Sequence, residues 1–227
     1  MSEGDGSGDA TRNSAPGVMV AGLVAPASEL AQRHFVLQDS RPAHLGNIGL
    51  AEMGALLRGL LFTDGTVTRT LEVQALSPVS VEVVDQADTT VTGQIARNLR
   101  VPADTKAVRR RVLIGTRESA EPVIWAESHI LPSRLPPRFL GVLQEAPDGI
   151  GQSLQRVELE SWRELLWFGL DSHPRWSCVS SDRTSTVITR VYRVITGGQP
   201  ALLISESLSV TYRDGAYQLD RVNLDSS

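Results

Sequence analysis

The stretch Thr184–Thr211, TSTVITRVYRVITGGQPALLISESLSVT, constrains the fold more tightly than any other part of the chain. Two runs rich in β-branched residues flank Gly197-Gly198, and paired glycines tolerate the positive φ angles of a tight hairpin turn. In the second run the side chains alternate. Leu202, Ile204, Leu208 and Val210 share one face, and Ser205, Ser207, Ser209 and Thr211 share the other. Glu206 falls in the middle of the apolar face. A carboxylate there costs several kcal/mol unless it is paired or stays protonated.

Upstream, Leu50, Met53, Leu56, Leu57, Leu60 and Leu61 recur at three- and four-residue spacing and predict a helix from Gly49 to the turn at Thr63-Asp64-Gly65. Thr66–Leu76 and Val79–Asp85, divided by Ser77-Pro78, are rich in β-branched residues and predict a hairpin. On the first of these runs Val67, Leu71, Val73 and Ala75 share a face with Arg69. Ala107–Thr116 and Val123–Leu131, joined through a turn at Glu118–Pro122, predict two further strands. A short helix over Pro137–Gln144 and a second over Val157–Phe168 follow, separated by the glycine loop Pro147–Gly151. On the second helix Leu159, Trp162, Leu165 and Leu166 would make the apolar side, with Trp162 and Trp167 as core residues. Ser172–Arg183 is a polar connection into the closing hairpin. This layout is α+β, an antiparallel sheet with helices packed on it.

The third strand carries the mirror image of the Glu206 anomaly. Val108, Val112 and Ile114 line one face with Arg110 among them, while Arg109 and Arg111 point the other way. An arginine on an apolar face calls for a carboxylate partner, from the protein or from a ligand. Two readings of the pair stand side by side. Arg110 and Glu206 form a buried salt bridge between neighbouring strands, or both face a cavity in which the arginine holds a substrate carboxylate and the glutamate handles a hydroxyl or a proton.

Composition narrows the function classes. The net charge of −4 argues against a general nucleic-acid binder, and Cys178, the single cysteine, excludes a disulfide framework or a thiolate metal cluster. His34, His44, His129 and His173 show no metal-ligand spacing, so no metal site is expected. No apolar run approaches the ~20 residues of a membrane span. The first residues lack the basic and apolar regions of a signal peptide. Residues 1–27, rich in Gly, Ser, Asp and Ala, are expected to be a disordered tail, and 28–227 a single domain of a soluble, cytoplasmic, monomeric protein.

The order of six segments resembles the chorismate lyase family (chorismate–pyruvate lyase, 4-hydroxybenzoate synthase), in particular its bacterial branch outside the ubiquinone-pathway enzymes. The segments are LLFTDGTVTRTLE (Leu60–Glu72), RRRVLI (Arg109–Ile114), AESHILPSRLP (Ala126–Pro136), Gly149-Ile150-Gly151, RVYRVITGGQP (Arg190–Pro200) and LLISE (Leu202–Glu206). The resemblance implies a six-stranded antiparallel sheet with helices on it and a buried, flap-covered site, a fold shared with the UTRA effector domains of bacterial repressors. It implies removal of pyruvate from chorismate to leave 4-hydroxybenzoate, with no metal or organic cofactor. By the same resemblance Arg110 matches the arginine that binds the ring carboxylate, and Glu206 the buried glutamate near the 4-oxygen. Ile150 supplies a backbone N–H to that carboxylate, and Val67 is an apolar residue lining the product site. Chorismate is a dianion and asks for a second cation, for which Arg69 is the candidate. Relatives in this branch also make 3-hydroxybenzoate-type products. The other class is a small-carboxylate sensor of the UTRA kind; such repressors carry a winged helix-turn-helix upstream, which residues 1–49 are too short and too Gly/Ser-rich to form.

Overall fold

Gly197 and Gly198 both sit at positive φ, 55° and 76°, and the chain reverses tightly between Thr186–Thr196 and Gln199–Arg213. The computed structural model describes residues 27–116, 122–145, 149–172 and 186–220. Their helices are α1 (Ala27–His34), α2 (Ala55–Phe62), α3 (Val67–Ala75), α4 (Gly93–Leu99), α5 (Pro137–Glu145) and α6 (Ile150–Arg156). The strands are β1 (Leu45–Gly46), β2 (Val79–Val91), β3 (Thr105–Thr116), β4 (Ile124–Ile130), β5 (Trp162–Asp171), β6 (Thr186–Thr196), β7 (Gln199–Arg213) and β8 (Ala216–Leu219).

All eight strands join one antiparallel sheet in the order β1-β5-β6-β7-β4-β3-β2, with β8 pairing to β7 beyond the end of β4. The α+β class follows directly. The count is eight rather than six, and β1 and β8, the two shortest strands, are the additions at its margins. One face carries the main core, into which α2, α3, α5 and α6 send Leu57, Leu60, Leu71, Phe139, Leu143 and Leu154. Leu202, Ile204, Leu208 and Val210 meet them from β7, as the alternation requires. The opposite face holds a smaller core in which Ala96 and Leu99 of α4 cover Leu166, Trp167, Val191 and Leu203.

Two elements differ in kind from expectation. Thr66–Leu76, expected as a strand, is the helix α3, ended by Leu76 at φ 51°. Its buried residues Val67, Leu71 and Ala75 recur every four positions, while Val73, assigned to the same strand face, is 71% exposed. The i, i+4 stripe packs on the sheet, and that packing outweighs the β preference of the branched side chains. Val157–Phe168, expected as a helix, is broken at Glu158 (φ 52°) and becomes β5 from Trp162. Leu165–Gly169 is buried on both faces of the sheet, and a strand of that kind presents a continuous apolar run instead of alternation. A β-bulge between Leu165 and Trp167 disrupts the period further. Trp167 is buried as expected of a core residue, but Trp162 is 56% exposed.

Smaller departures follow the same logic. The helix expected from Gly49 is a single 3-10 turn (Leu50–Glu52) followed by α2, and β2 extends to Val91 because it pairs with β3 along its length, apart from a bulge at Val84. Thr66–Leu76 being helical, the expected first hairpin is replaced by the β2–β3 pairing. Of the tail expected over residues 1–27, all but Ala27, which begins α1, lies outside the described residues, as do Pro147-Asp148, His173, Cys178, all but Pro122 of the turn expected over Glu118–Pro122 and all but Ser172 of the connection expected over Ser172–Arg183. Among the described residues no helix is long and apolar enough to cross a membrane.

The two-residue strand β1 depends on a glycine opposite it. A Cβ on Gly169 would lie 2.7 Å from the carbonyl oxygen of Gly46 and 3.0 Å from Cβ of Leu45. Gly169→Ala is therefore expected to destabilise the protein by about 1–3 kcal/mol, read as a lower urea midpoint with an unchanged slope; an unchanged midpoint would refute the β1–β5 contact.

Candidate active site

Two adjacent rungs of the sheet build the floor of a cavity on the main-core face. In one, Gln86, Arg110, Ser128, Ile204 and Tyr192 are successive cross-strand neighbours from β2 to β6. In the next, Val112, Ala126, Glu206 and Arg190 stand side by side. Val81, Ile114 and Ile204 contribute apolar wall, and Thr66, Val67 and Thr68 at the start of α3 close one side. Gly149, Ile150 and Gly151 at the start of α6 close another. The cavity has a volume of about 50 Å³. Gly151 is needed for that closure, since a Cβ there would stand 2.9 Å from Oγ1 of Thr66.

Arg110 is 3% exposed. Its Nη1 donates to Oε1 of Gln86 (2.8 Å) and to the carbonyl of Leu143 (3.3 Å). Its Nη2 is buried and has no partner. Burial lowers the pKa of this guanidinium from its ordinary value, yet arginine stays charged in proteins. A buried cation with an unused donor beside a cavity is a seat for an anion. Thr68 Oγ1, also buried without a partner, adds a hydroxyl to the same cavity.

Glu206, 5% exposed, does not pair with Arg110. Strand β4 lies between β3 and β7, and each strand step spans ~4.7–4.9 Å, so the two residues are not on neighbouring strands. Oε2 of Glu206 accepts from Nε of Arg190 at 2.7 Å, and Oε1 accepts from the hydroxyl of Tyr192 at 2.9 Å. Arg190 is fully buried; its Nη1 donates to the carbonyls of Leu60, Leu61 (3.0 Å) and Thr63 (3.2 Å), which supplies acceptors at the end of α2 with a partner. The guanidinium stands 5.0 Å from the centroid of the Tyr192 ring. Burial, and then the Glu206 carboxylate, push the Tyr192 phenol above its ordinary pKa, so it acts as a donor.

Arg190 and Tyr192 were missed by sequence reading, although a signal existed. Reflecting β7 through the Gly197-Gly198 turn sets Arg190 opposite Glu206, and the same alternation that exposed Glu206 places Arg190 on the apolar face of β6. Of the expected site residues, Arg110, Glu206, Ile150 and Val67 all line the cavity. Arg69 does not; it is exposed on α3, its Nη2 donating to Oε1 of Gln155 at 3.4 Å. Arg163 of β5 lines the cavity instead. Arg109 and Arg111 face away, both bound to Asp85, and Trp125, Glu127 and His129 line a separate hollow on the other face of the sheet. Among the described residues no three His, Cys, Asp or Glu side chains are placed to hold a metal ion.

A family model of Rv2949c-like chorismate pyruvate-lyases matches residues 61–214, a span that includes every cavity residue named above. The chorismate pyruvate-lyase of Mycobacterium tuberculosis (strain H37Rv) is 28% identical over 167 residues, 71% of this chain and 84% of that protein. The chorismate pyruvate-lyase of Mycobacterium leprae is 28% identical over 154 residues, 66% of this chain and 72% of that protein. Among solved structures, the effector domain of PhnF from Mycobacterium smegmatis superposes with a TM-score of 0.49 at 14% identity, covering 64% of this chain and 88% of that one. The C-terminal domain of the histidine utilization repressor from Pseudomonas syringae gives 0.45 at 12% identity, covering 63% and 96%.

The ion pair invites a thermodynamic test. Arg190→Met strands the Glu206 carboxylate in the core and should destabilise the protein by about 3–5 kcal/mol. The double variant Arg190→Met/Glu206→Leu should regain part of that loss in urea unfolding. Strictly additive costs would refute the coupling.

Proposed function

The chain belongs to the Rv2949c-like chorismate pyruvate-lyase family, and from that premise we propose that it is an enzyme that eliminates pyruvate from chorismate to leave 4-hydroxybenzoate. The observation that carries the residue assignment is the unpartnered Nη2 of Arg110, buried beside the cavity that also receives Glu206. In this reading Arg110 holds the ring carboxylate by a charge-assisted hydrogen bond, joined by the backbone N–H of Ile150, which as the first residue of α6 has no intrahelical acceptor. Val67 packs against the ring.

The chemistry asks little covalent help of the protein. The bond between C3 and the enolpyruvyl oxygen breaks, the proton at C4 departs, and the ring becomes aromatic, which supplies the driving force. The enolpyruvate takes up a proton and leaves as pyruvate. Glu206 receives a hydrogen bond from the 4-hydroxyl with lone pairs left over by Arg190 and Tyr192, and so orients the carbon that loses its proton. Positioning in a water-poor pocket and fixed charge at the ring carboxylate do most of the work. No metal or organic cofactor enters this scheme.

Incubation with chorismate, followed by chromatography of pyruvate and the hydroxybenzoates, is the direct test, and it separates a 4- from a 3-hydroxybenzoate product. Arg110→Ala should lower turnover at least ~100-fold, as loss of a donor to developing charge does. Pyruvate release by that variant at the parent rate would overturn the assignment.

A further inference from the structure

We infer that Arg163 seats a second carboxylate, so that the cavity is built for a dianion held at both ends. For the identity of that dianion the inference rests on the chorismate lyase reading; the seat itself rests on charge and position. Three charged side chains line the cavity, Arg110, Arg163 and Glu206. The charge of Glu206 is answered from behind by Arg190, which is not among the lining residues. Neither Arg110 nor Arg163 has a carboxylate partner among the described residues; their acceptors are Gln86 and the carbonyls of Leu143 and Asp64. Two cations without counter-ions therefore face the cavity, Arg110 buried and Arg163 half-buried with a buried Nε, an arrangement that favours two negative charges on a ligand.

Position supports two seats rather than one. Arg110 is on β3 and Arg163 on β5, four strands apart in the sheet order, which at ~4.8 Å per step separates their backbones by ~19 Å. Both long side chains reach the same cavity from opposite ends. Arg163 is also held in place before any ligand arrives. Its Nη1 donates to the carbonyl of Asp64 at 2.6 Å, and its guanidinium lies 5.9 Å from the Tyr192 ring centroid. Its Nη2 is 3.3 Å from where a Cβ on Gly151 would stand, so the turn before α3 and the start of α6 converge on it. Its Nε is buried with no partner, an unused donor on a guanidinium already oriented. Arg69, exposed and bound to Gln155, has none of these features.

A ligand with one carboxylate and a ligand with two separate the roles. Binding of chorismate would be read by rapid-mixing fluorescence before turnover intrudes, and binding of 4-hydroxybenzoate, which lacks the second carboxylate, by calorimetric titration. Arg163→Gln should weaken chorismate about 10–100-fold, the worth of a charge-assisted hydrogen bond, and leave 4-hydroxybenzoate unchanged. Arg110→Gln should weaken both. Arg163→Lys keeps the charge without the fork, and serves if the glutamine variant does not fold; it should also weaken chorismate alone. Equal losses for the two ligands, or an undiminished affinity for chorismate, would overturn the inference. If the unsubstituted protein binds chorismate in an Arg163-dependent way yet releases no pyruvate, the lyase reading fails and the seat stands. If it binds neither ligand, both fall.

Discussion

The interaction on which this molecule depends is the buried pair of Arg190 and Glu206. Among the described residues Arg190 is the largest fully buried side chain, and it ties together three things that no apolar residue could join: the carboxylate on β7, the last carbonyls of α2, and the ring face of Tyr192. Burying two charges is expensive, and the Coulombic gain offsets that cost only when the remaining donors and acceptors are also satisfied. Here the carboxylate accepts from both Arg190 and Tyr192 and the guanidinium spends Nη1 on the helix end, so that only Nη2 of Arg190 is left buried without a partner. The pair thereby registers the helical layer against the sheet. It also holds a glutamate rigidly at the edge of a pocket without leaving its charge unanswered.

That arrangement separates the tasks of the cavity. The charge of Glu206 is answered from outside the lining by Arg190, so the other charged groups of the lining are two arginines, set among hydroxyl and apolar groups. An acidic protein overall, with net charge −4, thus encloses a locally cationic space. Global charge speaks to solubility and to polymeric partners, whereas selection of a small anion is decided within a few ångströms by groups removed from water.

Alternation made the sheet legible where the two faces of a strand differ in polarity, as on β7, even though that strand is buried on both. It exposed Glu206 on β7 and Arg110 on β3, and the paired glycines marked the hairpin between β6 and β7. It was silent about β5, because a strand buried on both faces has no polar side to alternate with. It misled at α3, where residues spaced by four are also spaced by two, and only Val73, left in solvent, distinguishes the periods. The hairpin register sets Arg190 opposite Glu206, but Arg110 bears the same signature of an arginine among apolar residues, so alternation alone does not say which arginine is the partner. Arg163 carries no such signal, because its segment has the apolar spacing of a helix and its value lies in where β5 sits in the sheet.

The bulge in β5 has a consequence for the sign of the cavity. Leu165 is opposite Tyr192 and Phe168 opposite Arg190, so both face the main core although they are three residues apart. The extra residue between them reverses the parity of everything upstream. With it, Arg163 faces the pocket and Glu164 faces away, where it pairs with Arg193. A strand continuing from Phe168 in unbroken alternation would turn Glu164 inward and Arg163 outward, placing an anion where the pocket now holds a cation. One inserted residue, with no charge of its own, decides which polarity of ligand that end of the sheet can accept.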